Sequence, residues 1–199
     1  VGNPVRAAIA ALPAPELRAR APGPLRLLVI GGSQGARALN LHLPDALRLS
    51  GVCCEIRHQT GVSALEATAQ RYAEAGLRAD TTAFIEDMPE AYHWADLVVC
   101  RAGASTLAEL CAVGLPAVLV PLPTAADDHQ SRNADWLVET GAALKVVEGE
   151  GFTQRLADAL CALAGDAGRA LNMAIAARRL ARTDAAKRVA DICIEESRR

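Results

Sequence analysis

Short apolar runs alternate along this chain with longer segments in which apolar residues recur at helical spacing. The clearest unit begins at Leu97-Val98-Val99-Cys100, too short for a helix and rich in β-branched residues, which predicts a buried parallel strand. A small-residue loop, Arg101-Ala102-Gly103-Ala104, leads into a segment opened by Ser105 and Thr106, where Leu107, Leu110, Cys111 and Val113 mark one helix face. Gly114 and Pro116 stop it, and an apolar run over residues 116–120 follows at once. Strand, helix and strand in that order make a right-handed βαβ unit, which places the loop at the carboxyl edge of a parallel sheet, where ligands bind.

The same alternation extends both ways. Residues 25–30 predict a strand that runs into Gly31-Gly32-Ser33-Gln34-Gly35 and a helix over about 36–49. Strands over 52–58 and 81–85 follow, with a helix over about 63–75 between them and a short helix ending at Trp94. A polar segment, residues 124–130, opens a helix carrying Asn133, Trp136 and Leu137; residues 143–147 predict a sixth strand, and the chain from Thr153 is helical with breaks at Gly165 and near Thr183. Six strands alternating with helices predict an α/β domain: a Rossmann-like, doubly wound, parallel six-stranded sheet. Residues 1–24, with five prolines around one apolar-periodic piece at 5–12, read as a linker, and residues 25–199 as the domain, with its last helices over about 166–199.

Composition narrows the function classes. A net charge of −2 offers no broad basic field and 3% aromatic residues leave few stacking platforms, so no nucleic-acid partner is expected. No run approaches the roughly 18 apolar residues of a membrane span. The chain starts at Val1 with no charged-then-apolar leader, and reads as a fragment or processed product. Its six cysteines form no metal-ligand spacing and are expected to be small buried hydrophobes of a reducing compartment. No cofactor and no metal are expected. The glycine turn at residues 31–35 suits a phosphate at a helix start, yet its spacing is neither that of a dinucleotide fold nor that of a P-loop. No acidic residue ends the second strand, where His58-Gln59 falls, which disfavours a nicotinamide oxidoreductase.

Six segments, GNPVR (2–6), GGSQGA (31–36), HQTG (58–61), FIEDM (84–88), ADLVVCRAGASTLAEL (95–110) and DDHQSRNA (127–134), are similar in kind and order to the MurG family of glycosyltransferases. The resemblance spans nearly the whole chain, and covers the carboxyl-terminal half of a two-domain GT-B architecture. It implies a donor domain for UDP-N-acetylglucosamine in an inverting, metal-independent hexosyltransferase of peptidoglycan synthesis, which converts lipid I to lipid II on the lipid-linked muramyl pentapeptide. It implies a peripheral place on the cytoplasmic face of the bacterial inner membrane, with acceptor, membrane surface and general base all met by an amino-terminal domain absent from this sequence. GNPVR then lies at the hinge, and no residue here is assigned as catalytic. A stand-alone UDP-sugar binding module would need the same cleft and stays open beside it.

The resemblance also implies roles. Glu109 would take the two ribose hydroxyls, against a local reading in which Thr106-Leu-Ala-Glu109 is a capping box. Phe84 and Ile85 would cover and pair with uracil at a strand end, or be ordinary core, with Met88 beside the phosphate loop. Ser33 and Gln34 would face the diphosphate. Arg6 would add a phosphate contact or be a solvated charge, and Ala104, Ser105 and Thr106 would offer backbone N–H groups to the phosphates. His129, Gln130 and Asn133 would read the sugar, His129 competing with a simple surface or capping role.

Overall fold

The computed structural model describes residues 2–18, 23–32, 36–123 and 128–198. Six strands form one sheet in the order β3-β2-β1-β4-β5-β6, every neighbouring pair parallel. They are β1 (Leu25–Ile30), β2 (Cys54–Gln59), β3 (Ala79–Thr82), β4 (Leu97–Cys100), β5 (Ala117–Leu119) and β6 (Leu144–Lys145). The α-helices are α1 (Ala7–Ala10), α2 (Arg37–Ser50), α3 (Leu65–Glu74), α4 (Met88–Trp94), α5 (Ala104–Val113), α6 (His129–Glu139), α7 (Phe152–Ala164), α8 (Ala167–Arg179) and α9 (Ala185–Ser197). The predicted doubly wound sheet is what the chain adopts. β2 and β5 are a residue or two shorter than predicted; the larger departures are β3, which starts at Ala79 and stops at Thr82, so Phe84 and Ile85 lie beyond it, and β6, which keeps only two residues. These last two are edge strands, where a partner on one side only gives the ladder less to hold it.

Period-two alternation sorts the strands onto two cores. Leu25, Leu27 and Val29 of β1 and Leu97 and Val99 of β4 face α2, α3 and α7; Leu28, Ile30, Val98 and Cys100 face α1, α4, α5, α6 and part of α8. Burial on both faces is why these central runs read as continuously apolar. At the amino ends of β1 and β4 the Arg26 guanidinium donates to both oxygens of Asp96, Nη2 to Oδ1 at 2.8 Å and Nε to Oδ2 at 3.2 Å, while the Arg26 amide also donates to Oδ2 at 2.9 Å. This clamp pins the register of the two central strands.

The segment before β1 packs onto the domain. Ile9 of α1 is fully buried in the second core and Pro15 lies against the carboxyl end of α5. That end turns at Gly114, where φ is +68° and a Cβ would come within 2.6 Å of Pro15 Cγ and 2.9 Å of the Ala174 carbonyl oxygen, so only glycine fits. Arg18 donates to the carbonyls of Val113 and Gly114 and so caps the last turn of α5. The cysteines divide: Cys100 and Cys111 are buried as expected and Cys54 is half-buried, whereas Cys53, Cys161 and Cys193 are exposed.

His58, fully buried on β2, touches the Tyr72 hydroxyl through Nδ1 at 2.9 Å, and its Nε2 has no hydrogen-bond partner. Burial lowers its pKa to about 3 from 6.5. Between those values the unfolded chain holds the extra proton, so stability is lost as pH falls below 6.5. Acidification from pH 7.5 to 5.5 is expected to cost the wild type about 1.4 kcal/mol more than His58→Gln, read by denaturant unfolding at the two pH values; equal losses would show that His58 already titrates normally in the fold.

Candidate functional site

Strand order reverses between β1 and β4: the chain leaves β1 toward β2 and β3, then returns on the other side of β1. In an open α/β sheet the crevice at this switch point, beyond the carboxyl ends, is where a ligand sits. Its walls here are the glycine turn after β1 and the loop before α5. The glycine turn is tied to the neighbouring strand, with the Gly31 amide donating to the Gln59 carbonyl at 3.2 Å and Gln59 Nε2 to the Gly32 carbonyl at 3.4 Å. Gly32 has φ +77°, a left-handed bend that opens the turn. Ser33 and Gln34 lie outside the described residues.

On the other wall α5 starts at Ala104 behind Gly103, and no side chain caps it. Ala104 and Ser105 are exposed and Thr106 is half-buried, so the orphan N–H groups of this first turn face the crevice and favour negative charge. Gly103 has an ordinary φ of −70° and a Cβ there would meet nothing nearer than Thr106 Oγ1 at 3.9 Å. The packing of the fold therefore does not itself require a glycine at this position. Because the helix starts at Ala104, Thr106 is its third residue and cannot form the capping box.

Glu109 is engaged elsewhere. Its Oε1 accepts from Arg6 Nη2 at 3.1 Å and its Oε2 from the Tyr92 hydroxyl at 2.9 Å, which joins the leading segment, α4 and α5 at one carboxylate. The carboxylate is mostly covered, at 19% exposure, whereas Arg6 is 53% exposed. Arg6 is thus brought to the same crevice as the helix start.

The loop after β3 approaches from the edge. Phe84 is 63% exposed, while Ile85 and Met88 pack on the second core. Met88 begins α4, whose start is capped by Asp87 Oδ1 accepting from the Glu90 amide at 2.9 Å. Arg57 of β2 holds α4 from outside, bonding both Glu90 oxygens at 2.7 and 2.9 Å and lying over the Trp94 ring at 4.2 Å.

The residues expected to read a sugar also brace loops. Gln130 Oε1 accepts from the Leu122 amide at 3.0 Å, and Asn133 Nδ2 donates to the Ala102 carbonyl at 3.1 Å, tying α6 to the loop before α5. His129, exposed, is the first residue of α6, behind Asp128 at a left-handed φ of 52°. A small cavity of 140 Å³ reaches from Asn133 and Trp136 past Ala104 to Gly2 and Asn3. An apolar cavity of 260 Å³ lies at the opposite, amino end of the strands, beside the Arg26–Asp96 clamp whose charges are already paired, and does not compete for the switch-point role.

Two residues of this architecture carry no sequence motif of their own. Tyr92 sits on the apolar stripe of a short helix and nothing local marks its hydroxyl. Arg101, directly after β4, donates through Nη1 to the carbonyls of Val120 at 3.1 Å and Pro121 at 3.2 Å and pairs with Glu148, so one guanidinium fastens the exits of β4, β5 and β6. A charged residue at the end of a buried strand was the available signal. Cys100, adjacent to it, is buried and its thiol is pushed up to about 12, so it stays protonated and is no nucleophile. Among the described residues no His, Cys, Asp or Glu cluster fits a metal, and no helix is long and apolar enough to cross a membrane.

The sheet order, its two-sided helix cover and an open helix start at the switch point define the chain as a Rossmann-like unit of the GT-B glycosyltransferase kind. The profile of the glycosyltransferase family 28 C-terminal domain matches residues 26–189, and the chain belongs to that family. It is 55% identical over 97% of its length to an Aeromonas hydrophila protein, and 54% identical over 99% to one from Xylella fastidiosa, each named UDP-N-acetylglucosamine–N-acetylmuramyl-(pentapeptide) pyrophosphoryl-undecaprenol N-acetylglucosamine transferase. The crystal structure of Acinetobacter baumannii MurG superposes with a TM-score of 0.86 at 40% identity, covering 92% of this chain and 54% of that one. The chain spans about half the length of the curated relatives it matches, 53% and 55%.

The Arg101 anchor is expected to contribute on the order of 2 kcal/mol, because its loss leaves two carbonyls and a mostly covered carboxylate without a donor. Arg101→Met should lower the unfolding free energy, read by denaturant titration, by that amount and Arg101→Lys should recover only part of it; an unfolding free energy unchanged in both would mean the anchor is solvent-screened.

Proposed function

We propose that this domain binds the UDP-N-acetylglucosamine donor for transfer of N-acetylglucosamine to a lipid-linked muramyl pentapeptide in peptidoglycan synthesis. The observation that carries the reading is the Glu109 carboxylate, mostly covered and presented at the switch point beside the uncapped start of α5. Membership of the family and the names of the relatives supply the substrate class. A carboxylate accepts two hydroxyls of a ribose at once, and the helix start suits the adjoining diphosphate. Arg6, now on Glu109, turns from it to a phosphate when the nucleotide binds. Ile85 and Met88 offer an apolar shelf for the base with Phe84 free to cover it, Ser33 and Gln34 belong to the turn facing the diphosphate, and His129, Gln130 and Asn133 border the sugar.

In the reaction the acceptor hydroxyl attacks the anomeric carbon and the bond from that carbon to the β-phosphate oxygen breaks, with inversion. Negative charge grows on the departing diphosphate. Residues 104–106 meet it with fixed backbone N–H groups and the helix dipole, an arrangement that needs no reorganisation as the charge develops. The proton of the acceptor hydroxyl goes to a base that this reading places outside these 199 residues, in the additional length that the relatives have. Residues 1–24 act as the connection to that part, and work at the cytoplasmic face of the inner membrane follows from a lipid-linked acceptor.

Glu109→Ala is expected to weaken UDP binding by about tenfold to a hundredfold, from a charged hydrogen-bond contribution of about 1.5 to 3 kcal/mol, and to lower the melting temperature because the buried Tyr92 hydroxyl loses its acceptor while the fold is kept; calorimetric titration below the melting transition reads the affinity. Equal wild-type affinity for UDP and 2′,3′-dideoxy-UDP would remove the ribose assignment. The 199-residue chain alone, given UDP-N-acetylglucosamine and a soluble lipid-precursor analogue, is expected to show no transfer, since base and acceptor alignment are both lacking. Turnover near that of a full-length relative would place the base in this chain.

A further inference from the structure

Glu109 has two partners of very different kind. Arg6 reaches it from a side chain more than half exposed to solvent, where an ion pair is screened and readily exchanged. Tyr92 reaches it from inside the second core: the residue is 1% exposed and belongs to the same buried cluster as Ala91, Leu107 and Leu110. Burial, and then the nearby Glu109 charge, raise the Tyr92 pKa well above its ordinary value, so the hydroxyl remains a donor at any working pH. The helix that carries it is itself fixed, by the Asp87 cap at one end and by Arg57 on Glu90 and Trp94 along its side.

A glutamate on a helix surface turns about three side-chain bonds, and accepting a vicinal diol requires one of those orientations. A rigid donor on one oxygen selects it before the ligand arrives. Each carboxylate oxygen accepts more than one hydrogen bond, so the tyrosine leaves capacity on Oε2, and departure of Arg6 frees Oε1. We propose that Tyr92 is a positioning residue for nucleoside recognition, its hydroxyl holding Glu109 in the orientation that takes both ribose hydroxyls, while Arg6 is the exchangeable partner displaced by the ligand. The inference rests on the ribose role given to Glu109 above.

The test is Tyr92→Phe, which removes one oxygen and keeps the packing volume, titrated calorimetrically with UDP and with 2′,3′-dideoxy-UDP. UDP affinity is expected to fall about tenfold, the size of one well-placed hydrogen bond, while dideoxy-UDP affinity stays at the wild-type value. In a Glu109→Ala background the same change is expected to cost nothing further, as a residue acting only through Glu109 must. A general packing defect would weaken both ligands alike, and that result overturns the proposal. So does a variant that separates UDP from dideoxy-UDP as well as the wild type does, which leaves the ribose role of Glu109 standing. A wild type that binds the two nucleotides equally overturns the ribose role itself, and the proposal with it.

Discussion

The pairing of β1 with β4 is the contact on which the rest of this molecule depends. Both strands are buried on two faces, so their side chains fix the helices above and below, and the reversal of strand order between them opens the crevice at their carboxyl ends. At the amino ends the same pair is locked by the Arg26–Asp96 clamp. A slip of one residue between β1 and β4 would exchange the two cores and turn both walls of the crevice away from each other. The clamp and the alternation therefore act on the site from the far side of the sheet.

The crevice itself is assembled mostly from bonds that run between loops. Gln59 steadies the glycine turn, Asn133 the loop before α5, Gln130 the approach to α6, and Arg101 the exits of three strands. Several of these are residues whose place in a nucleotide-sugar site would be read as ligand contact alone. A side chain amide has donors and an acceptor, so Asn133 and Gln130 can hold a loop with one group and offer the other outward. Support and recognition then share a residue, and a substitution at either position touches both.

Much of the fold was legible because its signals are local and repeated. Continuous apolar runs for β1, β4 and β5, with glycines close behind the first two, placed these elements to within one residue. The ends of β3 and β6 were not, since an apolar residue such as Phe84 continues a run on paper whether or not a neighbouring strand is there to pair with it. For Glu109 the local pattern offered a cap, and the alternative came only from resemblance. The position of the helix start at Gly103 excludes the cap, and that start is set by how the loop leaves β4. The partners of Glu109 lie 103 and 17 residues away, and no spacing rule connects them. Tyr92 was invisible for the same reason: an amphipathic stripe reports that a ring is buried and says nothing of what its hydroxyl meets.

The leading segment grips α5 at two places. Arg6 meets Glu109 near the middle of the helix, and Arg18 covers the carbonyls of Val113 and Gly114 at its end, with Ile9 buried between the two arginines in sequence. One handhold would make a pivot; while Arg6 stays on Glu109, two, set about a turn apart along the axis, make the segment and the helix a single strut. A force applied to residues 2–18 is then delivered along α5 to its exposed first turn as displacement of the whole rod, with bending between the handholds resisted by the helix's own hydrogen bonds.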